Sequence, residues 1–337
     1  MNRRVRLLMW TAASVLVVAG CSSGASAGGG PTAPAGGSAS PSRSESTSSD
    51  PATGLLVYQW QAPTGNDSVT FAAGDGSGAR AVLPKGVEQG FHPDWSPDGT
   101  RVVFSDQDTG LWVMALDGSA SKRVHNCSNC DFPAWSPDGG RILFTQYVLG
   151  GDGPPKASSL EVLDLGSSTL TQVVTESSPR LVDVARWSPD GKQIVYGIDR
   201  FDGNGDETGS AIAVVTAAGG KPRVLTDYED YAYYPDWSPD GSTIVYSVET
   251  VQYAAEMPDW ADTWDLWTVA PDGSDPERLT DVAEGIHVWQ PTWAPDGTAI
   301  YATQDSATGR EAVRVELDGS IGAGLTGATH VRLQPTG

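Results

Sequence analysis

The chain is predicted to be all-β: a six-bladed β-propeller of four-stranded blades, its ring closed by a C-terminal strand that completes the N-terminal blade. Three observations predict it. Trp-Ser-Pro-Asp-Gly recurs at residues 95–99, 135–139, 187–191 and 237–241, with Trp-Ala-Pro-Asp-Gly at 293–297. A β-branched or aromatic run follows each copy, at 102–104, 142–144, 194–196, 244–246 and 299–301. Residues 329–337 align with 91–99, Leu333 taking the Trp place while Pro335 and Gly337 keep the turn. Self-similarity at this spacing signals stacked supersecondary units.

Each unit reads as four short strands, from the axis outward. Ser-Pro-Asp-Gly suits a type I turn, with Ser first, Pro presetting φ at the second position and Gly at the fourth. The strand after it is rich in Ile, Val, Tyr and Phe, which favour a pleated, half-buried surface. Third strands follow at 111–116, 160–165, 212–216, 266–269 and 313–317, several ending in Asp-Gly turns such as Asp117-Gly118, Asp272-Gly273 and Asp318-Gly319. Polar outer strands at 122–124, 223–225 and 277–279 complete the blade. Before the first Trp copy, 55–58, 69–72 and 79–82 supply three strands and lack an innermost one. The C-terminal strand fills that gap and leaves no long free edge.

The Trp-Ser-Pro-Asp-Gly turn followed by an Ile-Val-Tyr/Phe strand resembles the propeller repeats of the TolB family, also found in the propellers of prolyl oligopeptidase-type enzymes. The resemblance spans about residues 54–337 and implies a six-bladed TolB-like propeller. It implies little about activity, because the repeat serves scaffolds, binding modules and enzyme gating domains alike.

Residues 1–20 read as a signal segment, with Arg3, Arg4 and Arg6 before an apolar run at 7–19. That run is too short to cross a bilayer as an ordinary helix. Val18-Ala19-Gly20-Cys21 resembles the bacterial lipobox. By that resemblance Cys21 is the diacylated mature N-terminus, the alternative being an ordinary secretory signal. Residues 21–53 are dominated by Ser, Gly, Ala and Pro and read as a flexible tether with a reach of about 30 Å. The propeller occupies 54–337. The expected location is the extracytoplasmic face of the cell membrane, held there by the lipid on Cys21.

Composition bounds the partners. Lys plus Arg number 21 against 42 Asp plus Glu, a formal net charge of −21. Such a surface repels nucleic acid and anionic lipid. Besides Cys21 there are two cysteines, Cys127 and Cys130, most simply a disulfide outside the cytoplasm. Zinc would need two more ligands, for which His125 and Asp131 are a thin case, and no helix-opening context supports a redox-active pair.

In such blades the Trp-Ser-Pro-Asp-Gly and Asp-Gly turns lie on one plain end. The longer connections, at 147–158, 199–210, 249–265, 127–130 and 227–234, lie on the other. Long loops on a rigid scaffold are where binding concentrates. The tether joins near residue 54 at the plain end, so the elaborated end is expected to face away from the membrane. Three groups there are candidates. Asp202, Asn204 and Asp206 offer alternate oxygen ligands as in a Ca²⁺ loop, but Glu207 stands where Gly is expected and Ala213 where the bidentate Glu would be. No cofactor is expected beyond a structural Ca²⁺ at this loop, the alternative there being a solvated acidic loop. Tyr253, Trp260 and Trp264 form an aromatic group suited to stacking a sugar or anchoring a protein, or to packing a small local core. Tyr228, Tyr231 and Tyr234 form a Tyr-rich acidic loop suited to protein recognition. On the axis, His92, Asp94, Arg186, Asp236, His330 and Arg332 could hold a small polar ligand or neutralise one another.

The propeller segment, 54–337, has no Gly-x-Ser-x-Gly elbow, and the chain has no His-Glu-x-x-His spacing. No catalytic residue is assigned and the chain is read as a non-enzyme. The expected function is a protein-binding scaffold of the cell envelope. The alternatives are a carbohydrate-binding or substrate-capture module and, behind it, a channel-centred lyase or lactonase.

Overall fold

The computed structural model describes residues 54–61, 67–150, 154–250 and 263–335, and these form an all-β propeller. The signal segment, Cys21, the tether, Tyr253 and Trp260 lie outside the described residues. No helix among the described residues is long and apolar enough to cross a membrane.

The strands follow the repeat. β1 (Leu55–Gln61), β2 (Asp67–Ala73) and β3 (Arg80–Ala81) form one sheet, whose inner edge is covered by the last strand, β24 (Ala328–Leu333). The second sheet is β4 (Phe91–Trp95), β5 (Arg101–Asp106), β6 (Gly110–Ala115) and β7 (Lys122–His125). The third is β8 (Cys130–Trp135), β9 (Arg141–Val148), β10 (Ala157–Asp164) and β11 (Leu170–Ser177). The fourth is β12 (Arg180–Trp187), β13 (Gln193–Phe201), β14 (Glu207–Thr216) and β15 (Arg223–Val224).

The remaining strands form one eight-stranded sheet rather than two separate ones. One run is β16 (Ala232–Trp237), β17 (Ile244–Thr250), β18 (Thr263–Val269) and β19 (Glu277–Arg278). The other is β20 (His287–Trp293), β21 (Ala299–Ser306), β22 (Gly309–Glu316) and β23 (Leu325–Thr326). The two runs meet through a single parallel bridge, Trp264 to His287.

The pentapeptide works at the junctions between sheets. Trp95, Trp135, Trp187 and Trp237 are buried. Val57, Val69 and Phe71 from the first sheet pack with Trp95, Val102 and Phe104 from the second. Equivalent clusters join each later pair of neighbouring four-strand runs, and another joins β21 and β22 to β1 and β24. The Arg101 guanidinium lies 5.0 Å from the Trp135 ring centroid, and Arg141 lies 4.7 Å from that of Trp187. The turns also interlock: a Cβ on Gly241, whose φ is +72°, would stand 3.3 Å from Pro189 of the preceding turn. Only glycine takes that left-handed turn position without strain.

The C-terminal strand is tied to both the first and the second sheet. Leu333 pairs with Leu56, Trp95 Nε1 donates to the Arg332 carbonyl at 3.1 Å, and Gln334 Nε2 donates to the Gly99 carbonyl at 2.7 Å. Gln334 N donates to the Leu55 carbonyl at 2.8 Å, so residue 55 sits beside the Ser-Pro-Asp-Gly end.

Two readings are revised. The connection expected at 199–210 is mostly strand: β13 and β14 run on to Phe201 and Glu207, leaving a tight turn at 202–206. Pairing continues because the added residues keep laddering, as in Asp199 opposite Ser210. The loop expected to hold Trp264 gives way to β18, which begins at Thr263. Cys127 and Cys130 form a disulfide in the β7–β8 connection.

Candidate functional site

Six innermost strands, β4, β8, β12, β16, β20 and β24, surround the axis, and all six depart from regular geometry at the same place. His92, Phe132, Val184, Tyr234, Gln290 and His330, each three residues before the motif Trp or its Leu333 counterpart, have positive φ between 30° and 54°. The ladders shift register there: Phe91 and Asp94 both pair regularly with β5, while the residues between them do not. The same shift occurs in β8, β12, β16 and β20, and where β24 meets β1. A β-bulge re-aims side chains and concentrates near functional surfaces. Non-glycine residues held in the left-handed region imply surroundings that over-determine them.

Those surroundings are polar. Asp131 Oδ1 accepts from its neighbour Phe132 N at 2.9 Å, from Ser105 Oγ at 2.7 Å and from His92 Nδ1 at 2.6 Å, while Oδ2 accepts from Gln107 Nε2 at 2.6 Å. Burial alone would raise the Asp131 carboxyl, but His92 and the donated hydrogen bonds hold it below its ordinary value. His92 stacks on Phe132, ring centroids 3.9 Å apart, and meets His330 edge-on at 4.2 Å. His330 hydrogen-bonds Gln290, whose Oε1 accepts from Thr303 at 2.9 Å. Burial, His92 and nearby arginines push His330 well below the usual imidazole value, so its ring is neutral. Ser105 bonds the acid rather than the imidazole, so the trio lacks the order that activates a serine nucleophile.

A second polar group lies toward the elaborated end. Tyr147 donates to Asp183, which also accepts from Val184 N at 2.7 Å. Ser210 donates to Asp199 at 2.8 Å, and Tyr233 to Glu207 at 2.5 Å. Burial, then mutual repulsion, raises Asp183 to about 7 and Asp199 to about 8, and burial raises Glu207 to about 7. Beside them Tyr233 stacks on Trp264 at 5.0 Å, Trp264 meets Trp289 at 6.1 Å, and Tyr234 meets Trp289 at 5.5 Å.

Trp264 is therefore not an exposed platform. It is 8 % exposed, one ring face covered by Tyr233. β18 continues past the expected loop boundary, so Trp264 falls in the sheet, where its apolar ring is buried. Tyr234 stands at a bulge on the axis and, with Tyr231, packs against the Tyr233, Trp264 and Trp289 cluster, whereas Tyr228 packs against another cluster. Tyr228 lies under Arg200, whose guanidinium is 4.6 Å from the ring, and Arg200 pairs with Glu229 at 3.0 Å. Asp202 Oδ1 accepts from Asn204 N at 2.8 Å and Asp206 N at 3.0 Å, so it ties its own turn together. Among the described residues no group of three or more His, Cys, Asp or Glu is arranged to hold a metal ion.

At the plain end of the axis stand the residues just before the motif Trp. Asp94 Oδ2 accepts from Trp135 N at 2.8 Å, and Asp236 Oδ2 accepts from Trp293 N at 3.0 Å and Thr292 Oγ1 at 2.9 Å. Each acid thus ties one inner strand to the next. Arg332 lies 3.6 Å from both carboxylates, and Arg186 is buried beside them. The axial candidates are brought together as sequence spacing implied. Asp183, Asp199, Glu207 and Tyr147 were not singled out by the sequence, and Asp131 was weighed there only as a zinc ligand. For Tyr147 and Asp199 the available signal was a polar residue recurring three places beyond a core aromatic after each turn, as at Phe104/Gln107, Phe144/Tyr147 and Tyr196/Asp199.

The family model for the TolB beta propeller domain matches residues 57–335. An uncharacterized protein of Agrobacterium fabrum is 29% identical over 127 residues, covering 36% of this chain and 43% of that protein. The chain thus spans less than half the length of that curated relative. Among solved structures, TolB from Acinetobacter baumannii superposes with a TM-score of 0.63 at 16% identity, covering 85% of this chain and 68% of that one. A protein described as a TolB from Agrobacterium tumefaciens gives 0.57 at 20% identity, covering 84% and 98%. The hydrazine synthase of Kuenenia stuttgartiensis gives 0.63 at 14% identity, covering 85% and 47%. At these identities the likeness is one of fold.

Proposed function

This chain belongs to the TolB beta propeller domain family, and on that premise we propose that it is a lipid-anchored, extracytoplasmic propeller that binds other proteins of the cell envelope without catalysing a reaction. We read the eight-stranded sheet as two blades sharing one bridge, which makes six blades in all; the separate apolar cluster between its halves supports this. The observation that carries the binding reading is the contrast between the two ends of the ring. One end is a set of interlocked short turns, while the other presents an acidic rim at Tyr228–Asp230, one tyrosine followed by two carboxylates. A net charge of −21 suits a basic partner surface and steers its approach. The tether leaves beside the plain end, so the rim points outward from the membrane. The carbohydrate reading has lost Trp264 to the interior and rests on Trp260 and Tyr253 alone.

The test is cross-linking in intact cells, then capture of the full-length chain from detergent-solubilised envelope. One dominant protein, its yield falling as salt rises, is the expected result. Recovery of polysaccharide with no protein would sink the scaffold reading. Cys21→Ser should move the chain out of the membrane fraction, and retention there would refute the lipid anchor.

A further inference from the structure

The axial arginines are not accounted for by scaffolding. Arg186 is 8 % exposed, yet its Nε has no hydrogen-bond partner. Its one hydrogen bond among the described residues runs from Nη1 to the adjacent Ala185 carbonyl at 3.0 Å. No carboxylate among the described residues stands within ion-pair distance of it. The two candidates, Asp94 and Asp236, are turned toward the Trp135 and Trp293 amides of the next inner strands. Both carboxylates approach Arg332 at 3.6 Å, and they act on Arg186 only from beyond ion-pair distance. Burial and the like charge of Arg332 bring the Arg186 guanidinium down to about 10, so it remains charged at neutral pH. A buried cation with unmet donors is costly unless something anionic satisfies it.

We propose that Arg186 and Arg332 form a carboxylate-binding site on the propeller axis. Two guanidinium forks from different blades offer the planar, paired donors that a carboxylate accepts. Asp94 and Asp236 flank the site and set its selectivity. They tolerate a monoanion between the arginines and repel a dianion such as phosphate. Above it lie His92, His330 and Gln290, a polar ceiling that can hydrogen-bond the rest of the ligand. The carboxylate could belong to a free small molecule or to the C-terminus of a peptide. This site is on the axis, apart from the rim, and stands whether or not the rim binds protein.

The experiment uses the full-length chain in detergent micelles with ¹⁵N-labelled arginine, following the Nε–H resonances. Acetate is titrated against chloride at constant ionic strength, and tri-alanine with a free C-terminus against its amidated form. A saturable shift of the Arg186 and Arg332 Nε resonances with acetate is the expected result, with the affinity read at Arg332 weakened about tenfold or more in Arg186→Gln. A response to tri-alanine that vanishes on amidation assigns the same site to a chain terminus. Silence toward both probes, tighter binding of inorganic phosphate, or undiminished binding by Arg186→Gln would each overturn the proposal. The wild-type titration needs no variant, so misfolding of Arg186→Gln leaves it decisive.

Discussion

Ser96 and its counterparts Ser136, Ser188 and Ser238 illustrate what one side chain adds to each repeat. The Ser96 hydroxyl is buried, donates to Asp98 at 2.6 Å and accepts from Arg101 N at 3.0 Å, binding the turn to the strand that leaves it. Asp98, Asp190 and Asp240 are held at about 2, first by these serine hydroxyls and then by the backbone amides two residues on. The last copy lacks the hydroxyl. Ala294 is buried, while Asp296 still accepts from Thr298 N at 3.0 Å and Oγ1 at 2.8 Å. Ala294→Ser should therefore stabilise the protein by about 1 kcal/mol and raise Tm by about 2 °C. Urea and thermal melts showing no gain would refute the argument. The axial bulge residues illustrate the opposite economy. Each non-glycine left-handed residue costs about 1–2 kcal/mol, and buried hydrogen bonds such as Asp131 to Phe132 N hold it there.

Among the elements, β24 contributes most to closure. It buries Ala328, Thr329 and Val331 and covers the edge of β1, which would otherwise present unpaired amides and carbonyls. Its removal also frees Trp95 Nε1 and the Gly99 carbonyl at the next junction. Deleting residues 328–337 should cost more than about 4 kcal/mol or abolish cooperative melting, because an inner strand and two inter-blade contacts go together. A truncated chain melting near the parent temperature would show that the ring does not depend on closure. β13 and β14 carry a different lesson. Polar residues beyond the apolar run read as loop, yet cross-strand pairing alone extends both strands, and that extension brings Asp199 and Glu207 to the axial end.

For the whole molecule, two carboxylate populations oppose each other as pH changes. Asp183, Asp199 and Glu207 have folded-state values raised to about 7, 8 and 7 by burial, so the native state holds protons that the unfolded chain has released. Their contribution to stability is present below the ordinary carboxylate range and lost as pH rises through about 7 to 8. The turn aspartates have depressed values, so theirs is present above the ordinary range and lost as pH falls toward about 2. Stability should rise as pH is lowered from about 8.5 to about 5 and fall below about 4. Asp199→Asn should flatten the upper limb, because the amide has no proton to lose. Denaturant melts across pH showing a flat upper limb in the parent protein would refute this.

Local chemistry legible in the chain determined the propeller: five turn pentapeptides, apolar strands after them and a C-terminal segment matching a missing inner strand. These signals are local because turn geometry, β-propensity and strand alternation act over a few residues. The axial residues were legible too, since a fixed offset from a repeated Trp puts them at equivalent places. Only the tertiary structure decided which of them are satisfied. The left-handed bulge at His92 and its five counterparts, the burial of Trp264 and the raised Asp183, Asp199 and Glu207 all arise between strands far apart in sequence. So does the difference between two arginines that look alike in the sequence. Arg332 meets two carboxylates and Arg186 meets none within ion-pair distance among the described residues, because Asp94 and Asp236 also accept from amides of the next inner strands, which reach them only once neighbouring sheets pack.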